Sequence, residues 1–110
     1  MLHRFFVPDR DRDGAPVDPG PVIDSIVAEL GGATTYPARG VWDGGYEKTI
    51  ILEHVGELES WQVRSYMLRI ARNLNQEAVL HQALPVDSLC LTREELEGRP
   101  VLEGRPVAVA

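Results

Sequence analysis

The stretch from Tyr46 to Val55 constrains the fold of this chain more than any other. It is rich in β-branched and aliphatic residues, and it follows the turn residues Asp43, Gly44 and Gly45. A composition of this kind after a glycine turn is typical of a strand that is entered from a hairpin. We therefore predict that the stretch is the central strand of a small sheet.

The segments before this strand show one strand pattern, one helix pattern and a second strand pattern. Residues 2–7 carry two Phe and a Val and are followed by a proline, which is typical of the end of a buried strand. Asp18–Pro19 is a typical helix start, and a pair of glycines at 31–32 is a typical helix end. Between them, apolar residues recur at helical spacing: Val22, Ile23, Ile26, Val27 and Leu30. Residues 33–42 are β-prone but contain a proline, which predicts an edge strand that forms the hairpin with Tyr46–Val55.

The segments after the central strand predict a second helix and a return strand. Ser60 is a suitable N-cap, and the helix spacing is carried by Val63, Tyr66, Met67, Ile70, Ala71 and Leu74. Residues 77–81 then have the pattern of a fourth strand, and residues 84–91 that of an added edge strand. The order β-α-β-β-α-β predicts an α+β fold of the ferredoxin-like split βαβ type, with two helices on one face of an antiparallel sheet.

The domain organisation follows from length and from one short repeat. A chain of 110 residues with 44% hydrophobic residues has the size of one domain, which we assign to residues 1–91. Residues 92–110 contain the sequence Glu-Gly-Arg-Pro-Val twice, at 97–101 and 103–107. Two copies of so short a unit cannot form a solenoid, so an extended C-terminal tail is predicted.

Charge and composition argue against several classes of binding partner and indicate where in the cell the protein is located. A net charge of −6 with scattered basic residues argues against nucleic acid and against an anionic membrane as partners. An acidic inhibitor that mimics nucleic acid remains an alternative. No apolar run approaches the roughly 20 residues that cross a bilayer. Cys90 is the only cysteine, so no intrachain disulfide can form and a cytoplasmic location is expected.

Three short motifs resemble a known family. Gly40-Val41-Trp42, then Glu47, then Gln76-Glu77-Ala78-Val79-Leu80 are similar to the pattern of an uncharacterised family of small bacterial proteins, a domain of unknown function. That pattern has Gly-x-Trp near a hairpin, a Glu on the following strand and Gln-Glu-Ser-Val-Leu at the end; Ala78 replaces the serine here. The resemblance covers residues 31–82 and supports the fold without implying a reaction.

Strand alternation predicts which side chains share the sheet face away from the helices. On the central strand it sends Glu47, Ile51 and Glu53 to that face, and on the fourth strand it sends Glu77, Val79 and His81 there. Carboxylates that lie close together on a partly apolar surface would have raised pKa values and could serve as acid or base. The competing interpretation is that these are the polar positions of a solvated sheet or of an interface.

Two further residues, Trp42 and Gln76, are candidate site residues. Trp42 would lie opposite Glu47 if the hairpin loop consists of the two residues Gly44-Gly45, and opposite Tyr46 if the loop has three residues. Gln76 lies where the second helix gives way to the fourth strand, and its amide can satisfy backbone groups at that junction. If Gln76 and Glu77 form a site, the Glu77 carboxylate should titrate above an ordinary Glu.

No cofactor or metal is predicted from the residues. The histidines His3, His54 and His81 have no helical i, i+4 spacing, and Cys90 is isolated from them. The main functional prediction is a non-catalytic binding or assembly domain whose open sheet face is covered by a second copy, or by a protein partner. The alternative is a small enzyme that uses Glu47 and Glu77, with His81, for acid–base chemistry on a small molecule.

Overall fold

The computed structural model describes residues 1–42 and 44–98, apart from the side chain of Trp42. The elements in chain order are β1 (Leu2–Pro8), α1 (Gly20–Leu30), β2 (Thr34–Trp42), β3 (Gly45–Val55), α2 (Ser60–Asn73), β4 (His81–Leu84) and α3 (Arg93–Leu96). The strands form a four-stranded sheet in the order β2-β3-β1-β4, and every neighbouring pair is antiparallel. The predicted ferredoxin-like α+β fold is thereby confirmed. Among the described residues, no helix is long and apolar enough to cross a bilayer.

The core lies between the sheet and the two long helices. The sheet contributes Phe5, Val7 and Leu52, which are fully buried. From the helices come Val22, Ile23 and Ile26 of α1 and Tyr66 and Ile70 of α2. Burying apolar surface of this kind is the main favourable term in folding. The predicted helix-facing positions Ile50 and Leu52 of the central strand are confirmed, since both belong to or pack against this core.

The helix boundaries follow local chemistry that the sequence partly predicts. Asp18 Oδ1 accepts from the backbone N–H of Gly20 at 3.0 Å, and α1 ends at Gly31, whose φ of 77° suits a residue without a Cβ. At α2 the predicted N-cap Ser60 is wrong by one residue. Glu59 is the N-cap, in a capping box with Gln62. The Gln62 side chain accepts from the Glu59 N–H at 2.8 Å, and this reciprocal pair satisfies backbone groups that a lone serine would leave open.

The end of the chain differs from the sequence-based expectation. The fourth strand is His81–Leu84 and not residues 77–81, because the chain after α2 needs several residues to cross to the sheet; Asn75 turns it there with a φ of 48°. The predicted added strand at residues 84–91 is wrong, since no strand forms beyond Leu84 among the described residues. A short helix, α3, begins the predicted tail. Most of the repeat, from residue 99 onward, lies outside the described residues.

Candidate functional site

The sheet face opposite the helices is the surface on which the sequence placed a site, and we call it the open face. Along β1, the buried residues His3, Phe5 and Val7 alternate with Leu2, Arg4, Phe6 and Pro8, which therefore lie on the open face. Register extends this face across the sheet. Besides Pro8, its residues include Leu2, Arg4 and Phe6 of β1, Tyr36 of β2, Glu47, Ile51 and Glu53 of β3, and Gln82 and Leu84 of β4.

An apolar row crosses the middle of the open face. Ile51 lies opposite Phe6 on β1 and opposite Tyr36 on β2. Ile51 is only 3% exposed, although it does not belong to the helix-side core cluster. Its flanking side chains remain accessible; Tyr36 is 38% exposed. Ile51 therefore lies on the open face as predicted, between two larger side chains.

A polar row runs beside the apolar one and joins all four strands. Arg4 Nε donates to Glu53 Oε1 at 2.9 Å, and Arg4 Nη1 donates to Gln82 Oε1 at 3.1 Å. The Tyr36 hydroxyl donates to the same Glu53 oxygen at 2.5 Å. Each strand thus contributes one member of a continuous hydrogen-bonded network. A network of this kind fixes side-chain geometry across the sheet.

The network determines the charge state of its members. The hydrogen bond from Tyr36 lowers the pKa of Glu53, with a further contribution from Arg4, against the opposing effect of desolvation. The hydrogen bond to Glu53 in turn raises the pKa of Tyr36 and of Arg4. The expectation of a raised carboxylate pKa on this face is therefore wrong for Glu53, because donors and not other carboxylates surround it.

The structure does not bring Glu47 and Glu77 together within the sheet. Glu47 pairs with Gly40 of β2 and lies beyond the end of β1, whose last pair with β3 is Pro8 with Thr49. Glu77 is exposed and lies between α2 and β4, outside any strand. Since β4 pairs with β1 and not with β3, a cross-strand contact of the two carboxylates is not possible. The predicted position of Glu77 on the open face is wrong because residue 77 precedes β4 and so does not belong to the sheet.

His81 and Val79 lie on the helix side, contrary to prediction. His81 pairs with Phe5, and its ring lies 4.8 Å from the Phe5 ring, centroid to centroid. A hydrogen bond of 3.1 Å joins His81 Nε2 to His3 Nδ1. Val79 packs against the helix-side core. His81 faces the helices because it pairs with Phe5, which is buried on that side, and no local pattern specifies this register.

Burial sets the protonation of the histidine pair. Desolvation lowers the pKa of His81, and desolvation together with the charge of His81 lowers that of His3. His3 is 5% exposed, and its Nε2 is buried with no hydrogen-bond partner among the described residues. Two neutral rings that share one hydrogen bond fit such a site. The described residues include no group of three or more His, Cys, Asp or Glu side chains placed to hold a metal ion.

The Gln76 side chain forms hydrogen bonds to backbone groups, which is the type of role that the sequence predicted. Its Nε2 donates to the carbonyl of Arg10 at 2.6 Å and to that of Leu74 at 2.9 Å. The backbone N–H of Arg12 also donates to the Asn75 carbonyl at 2.9 Å. These bonds tie the loop between β1 and α1 to the end of α2. The side chain therefore satisfies one carbonyl at the junction, as expected, and its second bond reaches a carbonyl of the β1–α1 loop in place of the expected N–H.

The hairpin register differs from both alternatives considered for Trp42. The backbone of Trp42 pairs with Gly45, and Glu47 pairs with Gly40. Neither Tyr46 nor Glu47 is therefore opposite Trp42. Sequence reasoning also missed the open-face residues Arg4 and Tyr36. The alternation of polar and apolar residues along β1 was the signal that could have identified Arg4.

Comparison with known proteins adds one structural similarity. No family model matches the chain, and no curated protein matches it. A phage SAM lyase, solved in complex with S-methyl-5'-thioadenosine, has a similar structure with a TM-score of 0.51. The two chains are 19% identical, and the match covers 73% of this chain and 76% of that one. At this identity the likeness supports the ferredoxin-like α+β class alone.

Proposed function

We propose that this protein is a binding or assembly domain that associates with a second copy of itself through the open face. The observation that carries the proposal is the apolar row Phe6–Ile51–Tyr36 on the sheet face opposite α1 and α2, whose side chains pack on the other side of the sheet. Apolar surface of this kind gains free energy when a partner removes it from water. A cytoplasmic location and the absence of a nucleic-acid partner remain part of the proposal.

The polar row supports self-association in a different way. In a two-fold dimer the same patch meets itself, so a surface with one charge sign would repel its copy. Arg4 and Glu53 neutralise each other within one chain. Their hydrogen bonds hold both charges in place at the edge of the apolar row, which avoids an unpaired charge in the buried interface.

Tyr36→Lys tests the proposal, with Tyr46→Lys as a matched control. Tyr36 lies on the open face, whereas Tyr46 pairs with Val41 near the end of the hairpin and is 74% exposed. A lysine at position 36 should weaken self-association by about tenfold or more, because it gives a net positive charge to a patch that meets its own copy in a two-fold dimer. Sedimentation velocity at micromolar concentration measures this. A protein that is strictly monomeric before substitution, or two variants that associate equally, would contradict it.

A second candidate function is acid–base chemistry on a small molecule. The observation that favours it is that the similar phage SAM lyase holds S-methyl-5'-thioadenosine. The candidate carboxylates are those predicted from the sequence, Glu47 and Glu77, which are not cross-strand neighbours, and His81 is hydrogen-bonded to His3. Calorimetric titration with S-methyl-5'-thioadenosine tests this candidate. Binding that Glu47→Gln or Glu77→Gln weakens would support it, and no heat of binding at millimolar ligand would exclude this compound.

A further inference from the structure

Helix α2 has a charge opposite to that of the chain as a whole. It carries Arg64, Arg69 and Arg72 and no acidic residue, in a protein with a net charge of −6. Arg69 reaches across to α1, where it donates to Glu29. Arg64 and Arg72 form no ion pair with another described residue. Two unneutralised positive charges therefore remain on the exposed side of this helix.

The same side of α2 exposes large apolar side chains. Trp61 is 68% exposed and Leu68 is 48% exposed. They are seven residues apart, so they lie on one side of the helix, about two turns from each other. Tyr66 and Ile70 are buried on the opposite side. We call Trp61, Arg64, Leu68 and Arg72 together the α2 surface.

The segment after β4 has the complementary chemistry. In residues 85–98, which we call the acidic segment, Asp87, Glu94, Glu95 and Glu97 outweigh Arg93, for a net charge of −3. Every residue of the acidic segment except Leu91 and Glu95 is exposed. Leu89 is 71% exposed and Leu96 is 68% exposed. The segment thus combines negative charge with apolar side chains that its own chain leaves in water.

We propose that the acidic segment of one copy docks on the α2 surface of a second copy. Opposite charges bring the two surfaces together, and burial of the exposed leucines against Trp61 and Leu68 stabilises the contact. The partner is a second copy because, within one chain, the segment leaves Trp61 and Leu68 exposed. The contact joins two different surfaces, so it is head-to-tail and independent of the open face.

Complementation between two charge-reversal variants tests this contact. One variant, Arg64→Glu with Arg72→Glu, alters the α2 surface, and the other, Asp87→Lys with Glu94→Lys, alters the acidic segment. Each is made in a Tyr36→Lys background, so that association through the open face is measured separately. The matched control for the first variant is Arg12→Glu with Lys48→Glu, and the matched control for the second is Asp24→Lys with Glu57→Lys; each makes the same charge change as its variant at exposed positions elsewhere. Sedimentation velocity is recorded at low and at high salt.

The two variants should associate differently when they are separate and when they are mixed. Each variant alone should lose association by about tenfold or more, whereas an equimolar mixture should regain it, since the mixture contains one intact copy of each surface. Each control should associate like its parent, the protein with Tyr36→Lys alone. High salt should weaken the self-association of the controls and of the parent. Variants that behave like their controls would overturn the proposal. So would a mixture that does not recover, because the segment would then bind its own chain or nothing.

Discussion

Arg4 Nε donates to Glu53 Oε1 at 2.9 Å on the sheet face opposite the helices. This pair links β1 to β3, and the two residues are directly opposite each other in the register. Both side chains are mostly shielded, with 28% and 20% of their area exposed. The folded state therefore stabilises the charged form of Glu53, so the stability of the fold should depend on pH.

Stability should fall in acid because of Glu53. Its pKa is lowered in the folded protein, so its contribution is complete above the ordinary value of 4.5 and is lost as pH falls through the folded value. Glu53→Gln should remove this part of the pH dependence below 4.5 and lower the stability near neutral pH. Urea unfolding between about pH 3 and 7 measures both effects. An unchanged acid limb in the variant would contradict the prediction.

A second loss of stability is expected at a higher pH, from the histidine pair. Burial lowers the pKa of His3 and His81 below 6.5, so the fold favours the neutral rings. Their contribution is complete above pH 6.5 and is lost as pH falls toward the folded values. His81→Gln keeps a hydrogen-bonding group but cannot titrate, and it should flatten this part of the curve. Thermal unfolding midpoints between about pH 5 and 8 provide the measurement; equal slopes for both proteins would refute the assignment.

Leu52→Ala should be among the most destabilising single substitutions. Leu52 is fully buried between the sheet and the helices, and truncating such a side chain costs about 2–5 kcal/mol. Val41→Ala is the control, since Val41 is 67% exposed and its loss should cost less than about 0.5 kcal/mol. The free energy of unfolding from urea titration checks both. Similar costs for the two variants would show that the core is elsewhere.

Gln76→Ala and Glu77→Ala should differ, although the residues are adjacent. Gln76 donates to two carbonyls, and its loss should cost about 1 kcal/mol. Glu77 is exposed between two elements, so its removal should cost less than about 0.5 kcal/mol. Amide hydrogen exchange in the loop between β1 and α1 should rise in the first variant alone. Equal exchange in both variants would mean that Gln76 does not hold this loop.

The sequence predicts those helices and strands whose positions are specified by residues close together along the chain. The spacing of Val22, Ile26 and Leu30 and the glycine after them are local signals, and they predict α1 correctly. The alternation of Ile50 and Leu52 against Glu47 and Glu53 does the same for β3. The position of β4 depends instead on where the chain reaches β1. The backbone N–H of Phe6 donates to the Leu80 carbonyl at 3.1 Å just before the strand begins, and no local pattern specifies that contact.

The candidate site was less accessible to sequence reasoning for the same reason. The proposed juxtaposition of Glu47, Glu77 and His81 required both the start of β4 and its register, and an error of four residues in that start removes it. The network of Arg4, Tyr36 and Gln82 around Glu53 comes from four segments far apart in sequence. Each of these residues is ordinary in its local context. Only the sheet order reveals them as neighbours.

The position of β1 has a consequence for how the protein is made. β1 precedes both of its neighbours in the chain, yet it lies inside the sheet. β3 pairs with one edge of β1, and β4 pairs with the other. A nascent chain that leaves the ribosome must therefore expose both edges of β1 until residues 45–55 emerge, and one edge until residues 81–84 emerge. During that interval an unpaired strand edge can join another chain. Slow translation between α2 and β4 should thus favour aggregation of nascent chains over folding.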